Sequence, residues 1–144
     1  THYGSVDQLL EQKPQVTDVD LGYMPYLAWA YLQLGRQEEY DKVVAAMRNA
    51  LEEFGSETSV MAPVITSNAD FAAVTGDVDR LLQAAQKLVD HDTANVEPFA
   101  LPFYQQYFEL DEFRRMNDYI VARADEERAK LGLGPYASQF GGGL

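Results

Sequence analysis

The sequence predicts an all-α fold, a short α-solenoid of about three and a half antiparallel helix hairpins. The first observation is a short motif that returns at nearly constant intervals. Its lead residues are Val6, Tyr40, Val78 and Phe113, which lie 34, 38 and 35 positions apart. The second observation is that apolar residues recur at three- and four-residue steps, the spacing of one helix face. Such a period is typical of stacked helix pairs, so the four lead residues should occupy equivalent buried places.

Length and composition favour one folded domain. The chain has 144 residues, of which 47% are hydrophobic and 24% charged, and these are ordinary values for a globular protein. We therefore expect a helical repeat domain over residues 1–132. Residues 133–144 are glycine-rich and should form a flexible tail. The chain begins at Thr1 without Met, which indicates a processed protein or an excised domain.

The first two predicted helices have clear end signals. A short helix spans residues 5–12, with Ser5 as its N-cap and Pro14 just beyond its end. It looks like the second half of a repeat whose first half is absent. An apolar stripe predicts the next helix over residues 20–34, and Gly35 is placed to end it.

The next two helices form the middle of the predicted array. Residues 37–54 have the clearest helical period of the chain, and Gly55 follows as a stop signal. Residues 59–75 predict another helix, whose regular part begins near Pro63 because proline is tolerated only in the first helical turn. No stretch of the chain reads as a convincing β-strand.

Three further helices complete a total of seven. Asp77 is a good N-cap for a helix over residues 78–90, which has an apolar face. A helix over 99–109 should carry Pro102 in its first turn, and a final helix spans 112–131. Because the connections are short, successive helices should be antiparallel neighbours.

The paired helices resemble tetratricopeptide repeats in a degenerate form. In that family the first helix of a repeat has a bulky residue, a small residue, an aromatic residue and then a turn glycine. That order is met by Met24, Ala28, Tyr31 and Gly35 and, with a small residue in the aromatic place, by Ile65, Ala69, Ala72 and Gly76. The resemblance covers residues 5–131. It implies a right-handed superhelix whose concave face holds a peptide or partner segment.

The resemblance also implies which side chains face the groove. These positions are Pro25, Trp29, Leu32 and Gln33 in one repeat, Thr66, Asp70 and Ala73 in the next, and Leu101, Gln105 and Phe108 in the last. Trp29 is the only tryptophan, and it fits either an aromatic anchor for a partner or packing between repeats. The aromatic residues of 99–108 leave the same two interpretations open, a binding patch or extra packing.

No residue pattern points to catalysis or to a bound cofactor. The chain has no cysteine, which excludes disulfides and zinc–thiolate sites. His91 stands between Asp90 and Asp92, but adjacent residues point apart, so we predict a solvated helix end and no metal. Paired glutamates fall on polar helix faces, and no phosphate-binding loop is present. We therefore predict no catalytic residue, and the protein should not be an enzyme.

The charge balance limits the partners. A formal net charge of −12 argues against nucleic acid and against anionic lipid surfaces. It fits either simple solubility or a basic partner. No apolar run reaches the roughly 18 residues of a membrane span, so we expect a soluble domain, either cytoplasmic or exported. The open end before residues 5–12 should be covered by residues 15–24, by the tail or by a second copy of the chain.

The leading functional interpretation is a non-catalytic scaffold module that binds a protein or peptide on its concave face. One alternative is a regulatory or sensory domain of a larger signalling or transcription-regulator protein. Another is a small-molecule-binding or enzymatic helical domain, which a closed pocket between helices would favour.

Overall fold

The computed structural model of the chain describes residues 18–92 and 99–136. In these residues the fold is all-α, with five α-helices and one 3₁₀ helix and no strand. The helices are α1 (Asp18–Gln33), α2 (Gln37–Glu53), α3 (Ala62–Thr75), α4 (Val78–Asp90), the 3₁₀ helix (Pro102–Glu109) and α5 (Asp111–Lys130). The predicted helix over 5–12, its lead residue Val6 and most of the predicted tail lie outside the described residues.

Adjacent helices pack as antiparallel hairpins, as the short connections predict. The closest packing joins α3 to α4 and α1 to α2, and α5 lies against α4 and the 3₁₀ helix. The turn between α3 and α4 has only two residues. Gly76 ends α3 in the left-handed conformation, with φ of 75°, and Asp77 then accepts a hydrogen bond from the Arg80 amide to start α4.

Helix α3 lies at the centre of the domain. It contacts α1, α2, α4 and the 3₁₀ helix, and every residue from Asn68 to Val74 is buried. A helix with apolar side chains all round its circumference is stable only when it is enclosed, and the composition of α3 meets that condition. The core of the domain is therefore built around this one helix.

One expectation about the recurring motif is wrong. Phe113 is fully buried and Tyr40 is half-buried, but Val78 is 37% exposed and does not share their environment. The reason is its position. Val78 is the first residue of α4 and follows the N-cap directly, so its side chain lies at the rim of the domain where few helices can cover it.

The segment predicted as a helix over 99–109 is a 3₁₀ helix and not an α-helix. Its amides bond three residues back, as in the bond from the Tyr104 amide to the Leu101 carbonyl at 3.0 Å. Aromatic residues are poor α-helix formers, and tertiary packing decides the conformation here. Phe103, Tyr104 and Tyr107 are all buried, and the tighter winding turns their rings toward the core.

Two tyrosine hydroxyls satisfy the carbonyl groups at the end of α3. The Tyr40 hydroxyl donates to the Val74 carbonyl at 2.8 Å, and the Tyr107 hydroxyl donates to the Ala73 carbonyl at 2.7 Å. The last carbonyls of a helix have no partner within the helix, so a donor from outside stabilises them. Each tyrosine lies 34 residues from the residue whose carbonyl it binds, one before it and one after it.

Candidate functional site

An exposed stripe of side chains runs along α1. Tyr26, Trp29 and Gln33 follow each other at three- and four-residue steps and therefore share one helix face, with Leu32 beside them. Tyr26 and Leu32 are each 43% exposed, Gln33 is exposed, and Trp29 is half-buried against the core. We call these four residues the α1 stripe. Pro25, the other predicted groove residue of α1, is buried.

The predicted groove residues of α3 are less accessible. Thr66 is half-buried, Asp70 is 8% exposed and Ala73 is buried. The Asp70 carboxylate accepts a hydrogen bond from the Tyr104 hydroxyl, which comes from the 3₁₀ helix. Burial raises the pKa of Asp70 to about 7, while the bond from Tyr104 lowers it. Burial, followed by the nearby Asp70 charge, raises the pKa of Tyr104 well above its ordinary value.

The groove residues of the last helix pair are mixed in exposure. Gln105 is exposed, whereas Leu101 and Phe108 are half-buried and pack against the core. The Phe108 ring meets the buried Phe113 ring edge to face, with 5.2 Å between the ring centroids. One side of the Phe108 ring is thus fixed by the core.

Helix α1 and the 3₁₀ helix meet beside α3. The Tyr26 and Phe103 rings are in edge contact, with centroids 5.6 Å apart, and Tyr26 is close enough to Tyr104 to raise the pKa of its hydroxyl. The C-terminal half of α3 is therefore covered by its neighbours. The α1 stripe, Gln105 and part of Phe108 remain at the surface, while Pro25 and Asp70 are covered.

Sequence reasoning did not single out Phe103 and Tyr104 as the residues that cover α3. The available signal was the spacing, because Tyr104 lies 34 residues after Asp70, one period of the recurring motif. A buried hydroxyl needs a partner, and an acidic residue one period earlier was the nearest candidate.

A polar cleft of about 440 Å³ opens on another side of α3. Its lining residues are Glu57, Asn68, Asp77, Asp79, Arg80, Gln83, Ala84 and Lys87. The Arg80 guanidinium lies 4.7 Å from the Phe71 ring centroid and donates from Nε to Asn68 Oδ1 at 2.6 Å. Lys87 donates to the backbone carbonyl of Glu57. With three acidic and two basic side chains, this lining does not select an anion.

Hydrogen bonds connect Asp92, just after the end of α4, to α5. Asp92 accepts hydrogen bonds from the Tyr119 hydroxyl at 2.8 Å and from Arg123 Nε at 2.6 Å, and both bonds lower its pKa. His91 is exposed and lies at the end of α4. Across residues 18–92 and 99–136, no three His, Cys, Asp or Glu side chains are grouped as metal ligands. No helix in those ranges has the length and apolar character of a membrane span.

A scan against protein-family models, a search of curated proteins and a search of solved structures each find no match to this chain. Over residues 18–92 and 99–136, the class of protein that the fold defines is a small all-helical domain, with six helices packed as hairpins.

Proposed function

We propose that this domain is a non-catalytic protein-binding module with a tetratricopeptide-like arrangement, and that it binds a basic peptide or helix of a partner protein along the α1 stripe. The observation that carries the proposal is the exposure of Tyr26 and Leu32 on either side of the half-buried Trp29. Tryptophan and tyrosine are enriched among the few residues that supply most of the free energy of protein–protein binding.

The stripe has the composition of an interface centre with a polar edge. Trp29 is held on one side by the core, so little side-chain entropy is lost when a partner covers its other side. Gln33 lies on the same helix face and offers both donors and an acceptor. On the 3₁₀ helix, Gln105 is exposed and Phe108 is half-buried, which extends the same kind of surface.

The charge of the chain favours a basic partner. The formal net charge is −12, and long-range attraction increases the association rate of an oppositely charged segment. Exposed faces of Tyr26 and Trp29 are also good acceptors for Arg and Lys through cation–π interaction. A segment that combines basic residues with a few apolar ones satisfies both features of the surface.

Display of a random peptide library tests this proposal without knowledge of the partner. The purified chain should enrich peptides rich in Arg and Lys, and binding should shift the emission of Trp29. Trp29→Ala should weaken the best peptide by about 2 kcal/mol or more, about 30-fold in Kd. A loss of roughly 3–5 kcal/mol of folding stability in the same variant would instead assign Trp29 to the core.

A matched pair of tyrosines controls for general effects of losing an exposed ring. Tyr26 and Tyr119 are 43% and 40% exposed, but Tyr119 lies on α5, away from the α1 stripe. Tyr26→Ala should weaken peptide binding, and Tyr119→Ala should leave it unchanged. Equal binding by wild type, Trp29→Ala and Tyr26→Ala would overturn the proposal.

A further inference from the structure

The described part of the chain contains a buried carboxyl group that no cation neutralises. Asp70 is the only acidic side chain among the described residues that is buried, with 8% of its surface exposed. Its hydrogen-bond donor is the hydroxyl of Tyr104, a side chain that is itself only 1% exposed. A carboxylate in such a place loses its hydration without gaining an opposite charge, which disfavours its ionised form.

The titratable groups near the Asp70–Tyr104 pair and the adjoining Tyr107 come from each element that packs on α3. Tyr104, with Tyr107 beside it, comes from the 3₁₀ helix, and Tyr26 comes from α1. Tyr40 of α2 and Asp77, the N-cap of α4, act on Tyr107 and lie toward the end of α3. All of these are neutral or acidic.

Two cations lie against the next residue, Phe71. Arg48 of α2 and Arg80 of α4 lie over the Phe71 ring, 5.5 Å and 4.7 Å from its centroid. Neither contributes to the ionisation of Asp70, which is governed by burial and by the bond from Tyr104. None of the described residues therefore supplies a positive charge that compensates an ionised Asp70.

We propose that the 3₁₀ helix docks on α3 with the uptake of one proton by Asp70, and that it undocks when Asp70 ionises. The 3₁₀ helix lies between two non-helical residues. Leu101 and Leu110, which flank it, are both in the extended conformation, so a change at these two positions can swing the helix away. A 3₁₀ helix of this length is intrinsically weak and depends on its tertiary contacts.

The pH range of the transition follows from the change in environment. In the undocked state Asp70 is hydrated and has its ordinary pKa of about 4. In the docked state burial raises the pKa to about 7. Docking therefore takes up a proton between these values, and its equilibrium constant should fall by up to about tenfold per pH unit as the pH rises from about 4 to about 7. Above that range the constant should level off, because both states are ionised.

Amide hydrogen exchange measured from pH 5 to pH 8 on the full chain tests this inference. The reporters are the Tyr104 and Leu110 amides, which bond to the Leu101 and Tyr107 carbonyls, and the Met47 amide of α2 serves as reference. After division by the intrinsic rate, protection at Tyr104 and Leu110 should fall with rising pH. It should also be weaker than protection at Met47, because local undocking needs less free energy than global unfolding. Identical protection at all three amides would overturn the inference.

Two variants and a control assign the effect to Asp70. Asp70→Asn should remove the pH dependence of protection, whereas Asp118→Asn, at an exposed position on α5, should retain it. Tyr104→Phe should raise the upper end of the pH range over which protection changes, because the Tyr104 hydroxyl lowers the pKa of docked Asp70. The inference fails if Asp70→Asn keeps the wild-type profile, or if the Asp70 carboxyl resonance of the wild type titrates near pH 4. These measurements need no partner, so they stand apart from the proposed binding function.

Discussion

The hydroxyl groups of two tyrosines define the polar structure at the end of α3. Tyr40 and Tyr107 approach this end from α2 and from the 3₁₀ helix, and each satisfies one of its last carbonyls. Tyr107 is buried, so water cannot easily replace its hydroxyl, whereas Tyr40 is half-buried. The two bonds should therefore differ in their contribution to stability.

Tyr107→Phe should lower the free energy of unfolding by about 1–2 kcal/mol, because a buried carbonyl loses its donor while the ring packing stays. Tyr40→Phe should cost less, since water can reach the carbonyl that it binds. Urea denaturation followed by circular dichroism measures both changes. Tyr119→Phe is the control, because water can replace the exposed bond of its hydroxyl to Asp92, and stability should change by about 0.5 kcal/mol or less. Equal losses in all three variants would contradict this account.

Two residues show that the sequence does not predict how deeply a helical side chain is buried. The resemblance to tetratricopeptide repeats implied a groove position for Asp70, but the side chain is buried and bonded to a tyrosine that lies 34 residues further along the chain. Likewise, the helical pattern around Trp29 leaves open a surface anchor and a core residue, and its side chain is half-buried against the core. Side-chain periodicity gives the face of a helix, whereas burial is set by what packs against that face.

At the scale of elements, the strength of local signals decides what the sequence predicts. The helix predicted over 78–90 agrees with the observed α4, because it has both a side-chain N-cap and a strong apolar face. The segment 99–109 has an equally apolar composition but is wound as a 3₁₀ helix. Its conformation depends on contacts with α3 and α5, and these do not appear in the local pattern.

Two glycines in helical contexts should respond in opposite ways to the same substitution. Gly22 lies within α1, and no neighbouring atom would obstruct a methyl group there, so Gly22→Ala should stabilise the domain by about 0.5–1 kcal/mol. Gly76 ends α3 with φ of 75°, and Gly76→Ala should destabilise it by about 1–2 kcal/mol. Thermal unfolding of both variants checks the pair. A stabilising Gly76→Ala would mean that the turn adopts another conformation.

At the scale of the whole molecule, a contact between the first and last described helix pairs distinguishes this domain from a simple linear array. In a linear array each unit contacts only its sequence neighbours, so a terminal unit can be removed without loss of the others. Here the 3₁₀ helix of the last unit covers a helix of the middle unit and also reaches α1 through the contact of Phe103 with Tyr26. The units therefore depend on one another.

A fragment of residues 1–92 should accordingly lose cooperative unfolding. It lacks the 3₁₀ helix, so Asp70, the surface that Phe103 covers and the Ala73 carbonyl all become exposed. A fragment of residues 1–136 should unfold like the full chain. Far-ultraviolet circular dichroism during heating distinguishes these outcomes. If fragment 1–92 shows a sharp transition near that of the full chain, the domain behaves as a linear array and α3 needs no cover.

The distance of one period between Ala73 and Tyr107 has a consequence for synthesis of the chain. Because 34 residues separate them, Tyr107 is synthesised about 2–7 s after Ala73 at a rate of roughly 5–20 residues/s. During that interval Asp70 also lacks its hydrogen-bond donor, Tyr104, and we expect its carboxyl group to stay hydrated and ionised until the 3₁₀ helix is synthesised.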